Sequence, residues 1–168
     1  VTDPERPVIF GAIALAVTDA LTWNTIVSIQ QRRIATADSD FERQLDLYLF
    51  ALALRGVVRA AEFARQAATS SGDDEAHDRI SQALDGFTDA VPDAKHVRDI
   101  LEHFDEYRLG EGRLQQRRAM DELLVWVEDA GEGPVLVLGA RYRLPVLMAV
   151  AAAGALADEV RRALHHER

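Results

Sequence analysis

Residues 40–68 read DFERQLDLYLFALALRGVVRAAEFARQAA, and this stretch decides the fold. Ser39, followed three residues on by Glu42, has the spacing of a capping box, so a helix is predicted from Asp40 to about Ala68. Between Leu45 and Leu54 it carries Leu47, Tyr48, Leu49, Phe50 and Leu52 on almost every side. A helix apolar around its whole circumference belongs in the middle of a packed structure, so this one is expected to be central. Arg55, Arg59, Glu62 and Gln66 recur at helical spacing as one polar stripe, which reads as a solvated face.

Working outward, Pro7 suits a first helical turn, and Val8, Ile9, Ala12, Leu15 and Ala16 keep helical spacing, giving a first helix over about 7–34. Its apolar circumference calls for contacts on two sides, within a bundle or across an oligomer interface. Thr69 to Asp74 is a turn, a third helix covers 74–90, and Pro92 with Asp93 restarts the chain into a fourth, Ala94 to Gly110. After a short helical stretch from Arg113 to Asp121, two apolar runs, Leu123 to Val127 and Val135 to Leu138, flank Asp129, Gly131, Gly133 and Pro134, which is a hairpin signature. A third short strand is read over Arg141 to Leu144, and Pro145 opens a final helix to about His165. The expected fold is mainly α, an up-and-down helical bundle with a β-hairpin inserted near residues 123–144, in a single domain over residues 1–168.

At 168 residues the chain is long enough to bury a core, and 48% hydrophobic with 28% charged residues belongs to an ordinary globular protein. The absence of cysteine excludes disulfides, thiolate metal sites and sulfur nucleophiles, and favours a cytoplasmic location. A net charge of -9 repels phosphate polyanions at long range, so a nucleic-acid role requires a locally basic cleft. The opening residues lack the basic region of a secretory signal, so no export is expected. Val8–Ile29 and Pro145–Ala157 come closest to membrane spans. Asp19 and Asn24 interrupt the first and the second is short, so both read as buried helices, with no membrane partner.

Reactive side chains are densest on the fourth helix, where His96, Arg98, Asp99, Glu102, His103, Asp105, Glu106 and Tyr107 follow one another. Val97, Ile100, Leu101 and Phe104 form its core stripe, leaving Asp99, Glu102 and Glu106 to face away. His96, His103 and Tyr107 share one shoulder, and Arg98 lies about 140° from His103 around the helix. Two copies of the helix facing each other in a homodimer would bring Arg98 of one chain toward His103 of the other. His96, Asp99 and His103 suit a metal by type, but a stable site needs more ligands, and neither metal nor cofactor is expected. Arg161 and His166 repeat the five-residue spacing at the end of the chain without a fold argument, and Trp23 and Trp126 read as core or interface anchors.

The run Arg98-Asp99-Ile100-Leu101-Glu102-His103 resembles the motif of the HEPN superfamily of helical bundles, which is Arg, a polar residue, three further residues and His. The resemblance implies a dimeric, metal-independent endoribonuclease of a defence or toxin-type system. In it Arg98 would bind the scissile phosphate, His103 would transfer protons around the ribose 2′-hydroxyl, Tyr107 would orient His103, and Asp99 and His96 would lie at the substrate. RNA and an antitoxin or other protein partner follow as implied partners. The rival expectation is a non-catalytic binding or scaffold protein of the same fold, recognising a protein or small ligand. A third, an immunity-type partner covering a basic toxin, would also use the negative charge.

Overall fold

The computed structural model of the chain describes residues 6–102, 125–131, 133–138 and 142–165. In chain order these form α1 (Arg6–Thr36), α2 (Asp40–Ser71), α3 (Asp74–Ala90), α4 (Ala94–Glu102), β1 (Val125–Ala130), β2 (Gly133–Leu138), β3 (Tyr142–Pro145) and α5 (Val146–Leu164). The mainly helical architecture with a small inserted sheet is as the sequence implies. The expected continuation of α4 to Gly110 and the helical stretch from Arg113 to Asp121 lie outside the described residues.

The boundaries follow local chemistry. Ser39 caps α2, its hydroxyl accepting from the Glu42 backbone N–H at 3.2 Å, half of the capping box expected from the sequence. α2 ends at Gly72, whose φ of +72° reverses the chain while its N–H reaches the carbonyl of Thr69 at 3.1 Å. Asp73 then caps α3 by accepting from the Ala76 N–H at 3.0 Å. The turn is tighter than Thr69 to Asp74, because the left-handed glycine lets α2 run on to Ser71.

α2 is the hub. α1, α3, α4 and α5 all pack on it, and its buried positions include Ala51, Ala53, Gly56, Ala60, Ala61, Ala64, Ala67 and Ala68. Such small side chains allow helices to approach closely and still interlock with larger residues such as Phe50, Leu47 and Val57, all fully buried. The closest approach is at Gly56. A Cβ there would overlap the indole of Trp23 on α1, so the ring lies against bare backbone. At the other end of the same helix pair, Arg33 donates from Nε to Asp46 Oδ1 at 2.7 Å. Asp46 is 3% exposed and is the charged residue that the core admits, held there by the guanidinium. The hydrogen bond and charge of Asp46 also raise the Arg33 pKa above its ordinary value.

The three strands form an antiparallel sheet in the order β1-β2-β3, with Ala130 opposite Gly133 at the turn. Leu136, Leu138 and Leu144 face the core. Val137 lies between Trp126 and Arg143 in the ladder and is 1% exposed. Gly133 has φ +107°, which favours glycine, and a Cβ there would press on the Leu147 side chain at 3.0 Å. The insert is therefore fitted to α5 as well as to itself. α5 buries Val146, Ala149, Ala153, Leu156, Val160 and Ala163, and its Glu159 accepts from Arg79 Nε of α3 at 2.8 Å.

One expectation is corrected. α1 is not a buried helix: Ala16, Val17, Ala20, Val27 and Ile34 are buried along one side, whereas Leu15, Leu21, Trp23 and Ile29 remain exposed. Among the described residues, too few elements surround it to cover both faces. By length and composition Gly11–Thr36 is long and apolar enough to cross a membrane.

The Trp23–Gly56 contact gives a sign-reversed prediction. Gly→Ala inside a helix ordinarily gains up to about 1 kcal/mol, but Gly56→Ala should lose about 1–3 kcal/mol in urea denaturation through overpacking. In a Trp23→Ala background the same substitution should be neutral or stabilising. A stabilising Gly56→Ala in the otherwise native chain would contradict the packing.

Candidate functional site at the fourth helix

α4 starts because Pro92 and Asp93 turn the chain. The Ala94 N–H reaches Val91 O at 3.0 Å, and the Val97 N–H reaches Asp93 O at 2.9 Å. Val97 and Ile100 are buried, at 0% and 4% exposure, two of the four residues assigned to the core stripe. Asp93 also ties the helix to the sheet, its Oδ2 accepting from the Arg143 backbone N–H at 3.0 Å.

His96 is half-buried. Its ring stacks on Tyr142 of β3, with centroids 5.2 Å apart and planes 29° apart, and its buried Nδ1 has no hydrogen-bond partner among the described residues. The stack clamps α4 against the sheet. Asp99 is half-buried rather than fully solvated. Arg98 lies at the middle of α4. His103 and Tyr107 lie outside the described residues, as do Asp105, Glu106 and His166. Among the described residues no group of three His, Asp or Glu side chains gathers where it could hold a metal ion.

The residues that sequence reasoning passed over are those of the α2 polar stripe. Arg59, Glu62 and Gln66 are exposed and Arg55 half-buried, a solvated stripe as expected, and the four also line grooves. The larger, about 720 Å³, runs between α1 and α2, where Asp19, Trp23, Leu52 and Phe63 join them. The smaller, about 320 Å³, lies where α2 meets α3 and the start of α4. There Arg55, Arg65 and Lys95 stand against Glu62 and Asp85. A surplus of cations in a chain of net charge -9 is the local exception that bulk charge conceals. A hint was present in the sequence: Arg55 and Arg59, one helical turn apart, follow an otherwise apolar run. That neighbouring helices wall them into grooves is a tertiary fact that the sequence does not spell out.

Compared with protein-family models, with curated proteins and with solved structures, the chain matches none.

Across the sheet, Arg143 of β3 pairs with Glu128 of β1, and Glu128 also accepts from Trp126 Nε1 at 3.2 Å. The hydrogen bond from Arg143, then that from Trp126, holds the Glu128 pKa below its ordinary value. A depressed carboxylate stabilises the fold above its unfolded pKa, and that contribution disappears as pH falls through the folded pKa. Arg143→Ala should therefore lower the melting temperature at pH 7, with the difference from the native chain shrinking as pH falls below the ordinary carboxylate range and through the lowered folded pKa of Glu128. A difference independent of pH would show that the pair does not contribute through charge.

Proposed function

We propose that the chain is an HEPN-like, metal-independent endoribonuclease that acts as a homodimer, with Arg98 and His103 as its reacting pair. The observation that supports this reading is the groove beside α4, where Arg55, Arg65 and Lys95 outnumber Glu62 and Asp85 by one, a local excess of positive charge on an acidic chain of the kind such a role requires. Lys95 is three residues before Arg98 on the same helix, so a phosphate backbone drawn to the groove arrives next to the motif.

In the proposed reaction His103 takes the proton of a ribose 2′-hydroxyl, the 2′-oxygen attacks the adjacent phosphorus, and the bond to the 5′-oxygen breaks. The leaving oxygen takes up a proton, and the product ends in a 2′,3′-cyclic phosphate. Arg98 neutralises the charge that builds on the phosphoryl oxygens, and Tyr107 orients His103. His96, stacked on Tyr142, acts by holding α4 in place. A protein partner that covers the basic groove would silence the activity, as an antitoxin does.

The larger groove favours a second reading, a non-catalytic bundle that recognises a protein or small ligand, because Trp23 and Phe63 offer it aromatic walls.

Single-stranded RNA should be cut in the presence of chelator to give 2′,3′-cyclic phosphate ends. His103→Ala and Arg98→Ala should each reduce the rate by about 10²- to 10⁴-fold with the circular dichroism spectrum unchanged, and Lys95→Glu should weaken RNA binding. A folded, dimeric native chain without activity on varied RNAs, or activity that His103→Ala leaves intact, would return the site to the second reading.

A further inference from the structure

Among the described residues, α2 carries a stripe that is exposed at Leu45, Leu49, Arg59 and Phe63, half-buried at Leu52 and closed at Gly56 by Trp23 of α1. From Leu45 onward it runs through Leu49, Leu52, Gly56, Arg59 and Phe63, alternately four and three residues apart. That alternation is the seam spacing of a coiled coil. Leu45, Leu49 and Phe63 keep 51%, 41% and 36% exposure, and Phe41, one turn ahead, keeps 76%. We propose that this stripe is a self-complementary seam on which two copies of the chain pair, antiparallel, about a two-fold axis between Leu49 and Leu52. The inference deepens the dimeric part of the reading above and rests on it.

Charge fixes the occupant and its direction. In an antiparallel pair the two kinds of seam position face each other, so Leu49 meets Leu52 of the partner subunit. Gly56, whose missing side chain is replaced by the Trp23 indole, meets Leu45 of the partner subunit. Arg59 then falls opposite Glu42 of the partner subunit. Arg59 and the Glu42 side chain are both exposed and in no ion pair among the described residues. In a parallel pair Arg59 would instead face its own copy, an unfavourable like-charge contact.

Shape agrees. Phe41 of the partner subunit lies level with Ala60, at the wall of the groove of about 720 Å³, so an apolar side chain that is 76% exposed meets an open recess. From Phe41 to Phe63 the strip is about 33 Å long, at 1.5 Å per residue.

The pairing also bears on the site. α4 adjoins the flank of α2 that carries Arg55 and Glu62, and antiparallel pairing sets that flank of both chains on the same side. Arg55 is only about 7 Å along α2 from the proposed axis, so both α4 helices border one shared cleft. A second copy thus brings the Arg98-bearing helices of both chains to one cleft.

Sedimentation equilibrium and light scattering of the full chain test this, with helix content followed by circular dichroism. The native chain should be a dimer. Leu49→Arg should raise the dissociation constant at least about tenfold while the exposed position leaves the monomer folded. Arg59→Glu should weaken the dimer, and adding Glu42→Arg to it should restore the dimer. A native dimer untouched by Leu49→Arg, or a charge swap that fails to rescue, would overturn the seam and leave dimerisation itself standing. A native chain monomeric at all concentrations would overturn both. Flotation of the native chain with phosphatidylglycerol vesicles, lost in Leu49→Arg, would assign the strip to a lipid surface and also overturn the seam.

Discussion

The close approach of neighbouring helices to α2 is the constraint on which the rest of the structure depends. Alanine at 53, 60, 61, 64, 67 and 68 and glycine at 56 leave α2 so thin that α1, α3 and α5 can settle against it. The alanines of α5 at 149, 153, 157 and 163 and of α1 at 16 and 20 continue the pattern on the other surfaces. Few large side chains are needed when backbones approach this closely, because dispersion contacts accumulate along the whole length of each helix pair. The same closeness makes the core intolerant of added methylene groups, and Gly56 under Trp23 is its tightest point.

What α2 does not share with its neighbours becomes surface, and that surface is unusually apolar. Packing occupies the sides of α2 that carry Asp46, Phe50, Leu54 and Ala61, leaving Phe41, Leu45 and Leu49 uncovered. The sheet is too small to reach them, since it is committed to α4 and α5 through His96–Tyr142, the Asp93–Arg143 hydrogen bond and Leu136. Exposed apolar side chains gathered in one run, as at Phe41, Leu45 and Leu49, mark an interaction surface. The basic groove by α4 follows from the same geometry, because Arg55 and Arg65 stand where α2 turns from one neighbour to the next.

The helices were legible in the sequence because caps and periodicity are local: Ser39, the turn over Thr69 to Asp74 and Pro92 each mark a boundary, whereas the capping roles of Gly72 and Asp73 come from the structure. The centrality of α2 was legible from Leu47, Phe50 and Leu54. The sidedness of α1 was not, since apolar residues around a full circumference look alike whether a partner comes from the same chain or from another. The strands were found within two or three residues, because alternation and glycine punctuate them. For the site, the sequence supplied residue types on α4 but could not show that His96 is spent on Tyr142, or that a polar stripe on a distant helix lines two grooves. Those are contacts across dozens of residues, and no local pattern encodes them.

The central claim is that the free seam of α2 pairs with its own copy and so brings two α4 helices together. Because the chain has no cysteine, Lys95→Cys can carry a single spin label, and pulsed dipolar spectroscopy on the dimer reads the separation of the two α4 helices directly. The account predicts one narrow distance distribution at about 20–35 Å, given the rise along α2 and the helix diameters. Labels beyond about 50 Å, or no dipolar coupling between chains, would contradict it.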